Sequence, residues 1–402
     1  CEYHTNPVGI DVVQPRLSWQ ISSTENNFQQ TAYEIRATDN PGKGRLLWSS
    51  GKVISDQSVN IPYEGPALKS MQRVYWQVRI WDKQNRVTSW SSPAYWETGI
   101  LDPALWKASW INMGSEKAVK GSKPCQYLRK DFTIKKKVSS ARVYVTSLGL
   151  YQLFLNGEKV SNDLFTPGWT SYKTRVQYQA YDVTSRIKTE NTIGAIVGDG
   201  WYRGNIGWGN DDGYYGNKIA LLAQLQLNYT DGSSELVCTD GSWKAATGPI
   251  LASDIYNGET YDARKEMPGW CTPAFNSSSW ENAAIFDHPK SMLIAPQGVP
   301  VKAIEEIKTL KIFTTPKGET VFDLGQNMVG WVRLKVQGKA GDRVTLRFAE
   351  VLDKEGNFYT DNLRAAKATD VYICKGNGTE IFEPHFTFHG FRYVAVEGLN
   401  NP

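Results

Sequence analysis

Histidine is scarce, with four in 402 residues: His4, His288, His385 and His389. None has evident triad partners, and no GxSxG turn is present, so nucleophilic serine chemistry of the familiar kind is excluded. His385 and His389 are four apart, but in an alternating segment and without the HExxH pattern of a zinc helix. Cross-strand packing and hydrogen bonding are the reading there. The five cysteines, Cys1, Cys125, Cys238, Cys271 and Cys374, are odd in number, far apart and without CxxC spacing. That argues against a disulfide framework and against a zinc site. No apolar run approaches the ~20 residues needed to span a bilayer. Long amphipathic helices are missing too; candidates such as residues 303–307 are short. Neither sign of charge prevails, with 45 basic against 41 acidic residues and a net charge of +4. That balance disfavours a nucleic-acid or membrane partner, and Lys135-Lys136-Lys137 reads as a solvated turn. Gly198-Asp199-Gly200 has the first two glycines of a dinucleotide fingerprint, but Arg203 takes the last position and no helical pattern follows.

Aromatic residues are plentiful, at 12% with 15 tryptophans. They concentrate with glycine in residues 197–217, VGDGWYRGNIGWGNDDGYYGN. Nothing there repeats at period 2, and the glycines would weaken a ladder, so the stretch is not a core strand. Flat rings cover the C–H face of a pyranose while amides and carboxylates take its hydroxyls, and this stretch offers both on a backbone free to turn. The candidate carbohydrate-binding residues are therefore Trp201, Tyr202, Arg203, Trp208, Asn210, Asp211, Asp212 and Tyr214. The competing reading is a structural connection whose rings cap the end of a sandwich. Asn210-Asp211-Asp212 could ligate calcium through oxygens, although the DxDxDG spacing is absent; no other cofactor is expected. Paired acids for glycoside hydrolysis are not evident, since Asp199, Asp323, Glu350, Asp353, Asp361 and Asp370 read as caps, turns or solvated charges.

The pattern is all-β throughout, and three tandem β-sandwich domains are expected. Residues 1–100 alternate at 32–37 and 75–82, and a closing run at 89–97 resembles that of fibronectin type III domains. Residues 101–300 read as a jelly roll of the galactose-binding type. Asn156-Gly157 there is a strong hairpin signal, because both residues tolerate φ > 0. Buried strands at 192–197 and 219–227 flank the aromatic stretch, making it a connection of roughly 20 residues, a length uncommon unless functional. Residues 301–402 form a second β-sandwich, in which residues 321–331 read as strand, glycine turn and strand. No signal peptide opens the chain, which leaves cytosolic, processed and cut forms open. Cys1 in first place is either a lipidated cysteine of a mature lipoprotein or an ordinary small apolar residue.

Several motifs taken together resemble the bacterial α-L-rhamnosidases. They are Asn6-Pro7-Val8-Gly9-Ile10-Asp11 with Pro15-Arg16-Leu17-Ser18-Trp19, Pro167-Gly168-Trp169-Thr170-Ser171-Tyr172, and Gly198-Asp199-Gly200-Trp201-Tyr202-Arg203-Gly204. Phe322-Asp323-Leu324-Gly325-Gln326-Asn327, Arg347-Phe348-Ala349-Glu350-Val351-Leu352 and residues 386–393 complete the set, in order along the chain. The resemblance implies an inverting glycoside hydrolase that releases terminal α-L-rhamnose. It also implies that the region matched is the β-rich front, with the catalytic acids in an (α/α)6 barrel that follows. No helical-barrel pattern occurs here, so no catalytic residue is assigned and the chain alone is expected to be inactive. The implied partners are a rhamnose-containing glycan and that downstream barrel. Some relatives bind rhamnose through calcium, a site that cannot be transferred residue by residue. The expected compartment is the periplasm or the cell exterior, with the cytoplasm as the alternative. A free-standing carbohydrate-binding or adhesion protein is the competing function.

Overall fold

The computed structural model describes residues 1–402 other than Lys43, residues 117–120, Asn210 and residues 399–402. Its elements are strands, with one four-residue α-helix, Gly200–Arg203, and four 3-10 turns among the described residues. The all-β expectation holds. The chain divides into two compact units, the first made of residues 1–107, 178–182 and 293–299.

In the first unit, strands Val8–Ile10, Ala94–Thr98, Arg73–Asp82, Gln30–Thr38 and Leu46–Ser49 lie side by side, and Val53–Ile54 adds to Gln30–Thr38. Arg73–Asp82 alternates between half-buried and buried side chains along its whole length, as its sequence pattern requires. Arg16–Leu17 and Ile61–Pro62 form a small second sheet. Leu17, Ile35, Val74 and Trp96 fill the core between them, and Tyr63 packs edge-on against both Trp48 and Trp96. The alternating residues 16–21 also read as a strand, yet only Arg16–Leu17 is one, and Trp19 donates its indole N–H to Gln30 Oε1 at 3.0 Å.

The second unit holds the rest. One sheet runs Glu158–Lys159, Leu150–Leu155, Glu190–Gly198, Gln126–Thr133, Lys244–Thr247, Glu281–Asn282. Asn156 and Gly157, at φ of 55° and 88°, turn the first hairpin of that sheet as expected. Facing strands Val138–Leu148 and Ala220–Tyr229 pair over ten residues, with Val143, Leu221 and Leu225 buried. A third, seven-stranded sheet runs Ile250–Asp254, Gly258–Asp262, Thr369–Ile373, Arg343–Ala349, His389–Glu397, Thr320–Gly330, Lys311–Thr314. Two of its strands thus come from the middle of the chain. Residues 321–331 differ from expectation: Thr320–Gly330 is one strand, and the glycine turn read at Gly325 is a bulge between Asp323 and Met328. The bulge keeps the strand paired to His389–Glu397 on both sides of the irregularity.

Candidate functional site

Strands Glu190–Gly198 and Ala220–Tyr229 are joined by the aromatic connection, whose first turn is the helix Gly200–Arg203. Gly200 has a φ of 53°, and a Cβ there would stand 2.5 Å from Leu150 Cγ, so only glycine lets the turn begin against that strand. One turn later Arg203, only 4% exposed, donates from Nε to Asp199 Oδ1 at 2.6 Å and from Nη1 to Glu116 Oε1 at 2.7 Å. Burial pushes the Asp199 carboxyl up, against the pull of Arg203 and of the Ser122 hydroxyl, which donates to Asp199 Oδ2 at 2.9 Å. Arg203 is thus committed to a buried ion triad.

The rings of the connection form a ladder with the segment at 165–172. Trp201 lies parallel to Trp169, with centroids 5.7 Å apart, and meets the edge of Phe165. Tyr202 is buried against Tyr172, whose other neighbour is Tyr215. Tyr214 is exposed, stands at right angles to Tyr215, and has the Lys173 ammonium 5.5 Å from its ring. Trp208, at 77% exposure, stands apart at the loop tip with the Arg364 guanidinium 4.3 Å from its ring centroid. A 270 Å³ cavity opens beside that pair, lined also by Tyr256 and Leu363. Arg364 itself has a φ of 56°, a strained conformation for a residue with a side chain.

Asp211 closes the tip through a bridge to Ile206 and, with Asp212, lines a separate cavity of 680 Å³. Asp212 Oδ2 accepts from the Gly121 amide at 2.7 Å. Asn210 lies outside the described residues. The seven predicted residues that are described therefore do not form one surface. Trp201, Tyr202 and Arg203 look inward, Trp208 and Tyr214 are separate exposed rings, and Asp211 and Asp212 share a polar cleft. Sequence reasoning missed Trp169 and two basic residues, Arg364 beside Trp208 and Lys367 on the lining of the polar cleft. Trp169 carried a signal, an aromatic beside glycine in Pro167-Gly168-Trp169; the two basic residues carried none.

His385 and His389 each meet a buried carboxylate. His385 Nδ1 is 2.8 Å from Glu259 Oε1, and His389 Nε2 is 3.3 Å from both oxygens of Asp370. The Glu259 amide in turn donates to Asp370 Oδ1 at 2.9 Å, so the two pairs are one network. The expected hydrogen-bonding role is what both histidines have. Among the described residues no group of three His, Cys, Asp or Glu side chains is placed to hold a metal ion.

Three family models match in order along the chain. The Rha78A-like N-terminal immunoglobulin domain covers residues 1–102, the Alpha-L-rhamnosidase N-terminal domain 136–305, and the Bacterial alpha-L-rhamnosidase concanavalin-like domain 313–402. An Alpha-L-rhamnosidase of Formosa agariphila is 40% identical over 406 residues, covering 98% of this chain and 44% of its own length. One from Streptomyces avermitilis is 34% identical over 569 residues, covering 99% and 55%. Its crystal structure complexed with L-rhamnose superposes with a TM-score of 0.94 at 32% identity, over 100% of this chain and 55% of that one. The native enzyme of Aspergillus terreus gives 0.93 at 37% identity, over 98% and 46%. The chain spans about half the length of the curated relatives it matches.

Proposed function

We propose a supporting role for this chain, which is made of the N-terminal domains of the alpha-L-rhamnosidase family, in an enzyme that releases terminal α-L-rhamnose from glycosides and polysaccharides with inversion. The observation that carries this reading is the ordered match of three such domains in a chain whose longest α-helix, among the described residues, has four residues. An (α/α)6 barrel has no place in such a chain, and an inverting hydrolase needs a carboxylic acid and a carboxylate held across the scissile bond. The chemistry therefore belongs to a following barrel, and these β domains brace it and bind glycan beside it. The L-rhamnose bound to the Streptomyces relative supports the substrate class.

The parent protein, assayed on p-nitrophenyl α-L-rhamnoside, is expected to release β-L-rhamnose, read by proton NMR before mutarotation. Release of the α anomer, or of no rhamnose, would remove this reading. Calcium is proposed to aid sugar binding, which titration of L-rhamnose with and without the ion tests. No helix among the described residues is long and apolar enough to cross a membrane. A periplasmic or extracellular location is proposed on the resemblance alone, and fractionation of the source cells tests it.

A further inference from the structure

We propose that the 680 Å³ polar cleft is a glycan subsite that grips a neutral sugar by its hydroxyls, a role resting on the rhamnosidase reading and distinct from any stacking on the aromatic ladder. Ala252, Thr260 and Val371 are neighbours in register on three adjacent strands of the seven-stranded sheet, and all three line the cleft. Their small side chains leave a trough on that face. The tip of the aromatic connection forms one wall with Asp211, and Arg343 and Lys367 also line the space. Its volume lies within the roughly 300–1,000 Å³ of small-molecule sites.

Several basic side chains of the same unit are matched: Arg347 with Glu319 and Glu397, Arg392 with Asp323, Arg264 with Asp262, and Lys375 with Glu266. Among the described residues, the side chains of Asp211, Arg343 and Lys367 have no hydrogen-bond or ion-pair partner. An acceptor-only carboxylate and two donor-only cations around one space complement a vicinal diol, since each hydroxyl both donates and accepts.

Other ligands fit less well. Asp212 and Asp254 also line the cleft, so three carboxylates oppose two cations and a bound anion is repelled. A metal ion is equally disfavoured, because the Asp254 carboxylate is already taken by the amides of Asn205, Tyr256 and Asn257, and Asp212 by that of Gly121. No aromatic ring lines the cleft, so recognition is by hydroxyl geometry and not by a ring face.

The test is calorimetric titration of the 402-residue chain with methyl α-L-rhamnoside, D-glucose, D-galactose and sodium sulfate. Asp211→Asn, Arg343→Ala and Lys367→Ala stand beside Trp208→Ala and Tyr214→Ala. All five positions are exposed, and thermal unfolding confirms that each variant folds. Loss of a charge-assisted hydrogen bond predicts about tenfold weaker sugar binding in each charge variant, with the two ring variants unchanged. Binding that survives the charge variants but disappears with the rings overturns the cleft and leaves the rhamnosidase reading intact. Binding of glucose or galactose at the cleft, with none of the rhamnoside, keeps the subsite and counts against the rhamnose substrate. Heat from sulfate alone, or from no sugar, overturns the subsite.

Discussion

Arg203 shows how far a candidate binding residue can be from a free one. Its guanidinium is closed in by Asp199 and Glu116, the latter 87 residues away in sequence. Removing the one cation of such a buried group leaves two carboxylates uncompensated, at a cost of about 3–5 kcal/mol. Arg203→Met is therefore expected to lower the free energy of unfolding by that amount, read as a lower urea midpoint at unchanged m. A midpoint within experimental error of the parent's would show that the triad is not what holds the turn. His288 gives a pH-dependent counterpart. Its ring stacks near Phe286 and meets the edge of Trp110, and its Nε2 is buried without a hydrogen bond in the described structure. Burial, partly offset by Asp287, pushes its imidazole below the ordinary range. An imidazole with a depressed folded pKa binds fewer protons folded than unfolded. Stability is then fully present above the unfolded value of about 6.5 and is lost as pH falls towards the depressed one. Between about pH 7.5 and about pH 5, His288→Phe is expected to lose less stability than the parent; an equal loss would show that another group carries the dependence.

At the scale of elements, the aromatic connection is a strut as much as a surface. Trp201 stacks on Trp169, and Phe165 backs it. Truncating a fully buried tryptophan costs about 3–5 kcal/mol. Trp201 is only partly buried, so Trp201→Ala is expected to cost on the order of 2–3 kcal/mol in thermal unfolding without changing affinity for methyl α-L-rhamnoside. Weakened sugar binding at unchanged stability would return the ring to the ligand. The hairpin that floors the polar cleft turns at Gly258, with φ of 99° and its Cβ position 2.1 Å from the Thr369 carbonyl oxygen. Gly258→Ala is expected to cost at least about 1–3 kcal/mol, read from the same unfolding curves. A neutral result would mean that the hairpin can shift away from Thr369.

These elements also mark what sequence could and could not reveal. The alternation of residues 75–82, the Asn156-Gly157 turn and the long glycine-rich connection are local patterns, and each appears where its chemistry requires. The bulge in Thr320–Gly330 looked like a turn because Gly325 with φ of 85° serves either purpose. Strands Ile250–Asp254 and Gly258–Asp262 were unforeseen in the seven-stranded sheet because the hairpin joins it through the pairing of Gly258–Asp262 with Thr369–Ile373, more than a hundred residues away. No local period encodes such a pairing. The same holds for the cleft. Asp211 was singled out by composition, whereas Arg343 and Lys367 join it only once the sheet has formed.

On the scale of the whole molecule, the proposed role of this chain is a frame with a glycan contact, and catalysis is proposed for a part of the parent beyond these β domains. Its family match, its strand-built architecture and the commitment of Asp199 to an ion pair and of Asp254 to backbone amides all bear on that one claim. The direct measurement is continuous p-nitrophenol release from p-nitrophenyl α-L-rhamnoside by the purified 402-residue chain, followed alongside its thermal unfolding. The account predicts a folded protein whose rate is indistinguishable from the blank. A rate above the blank that scales with the amount of folded chain, and disappears when the chain is unfolded, would contradict it.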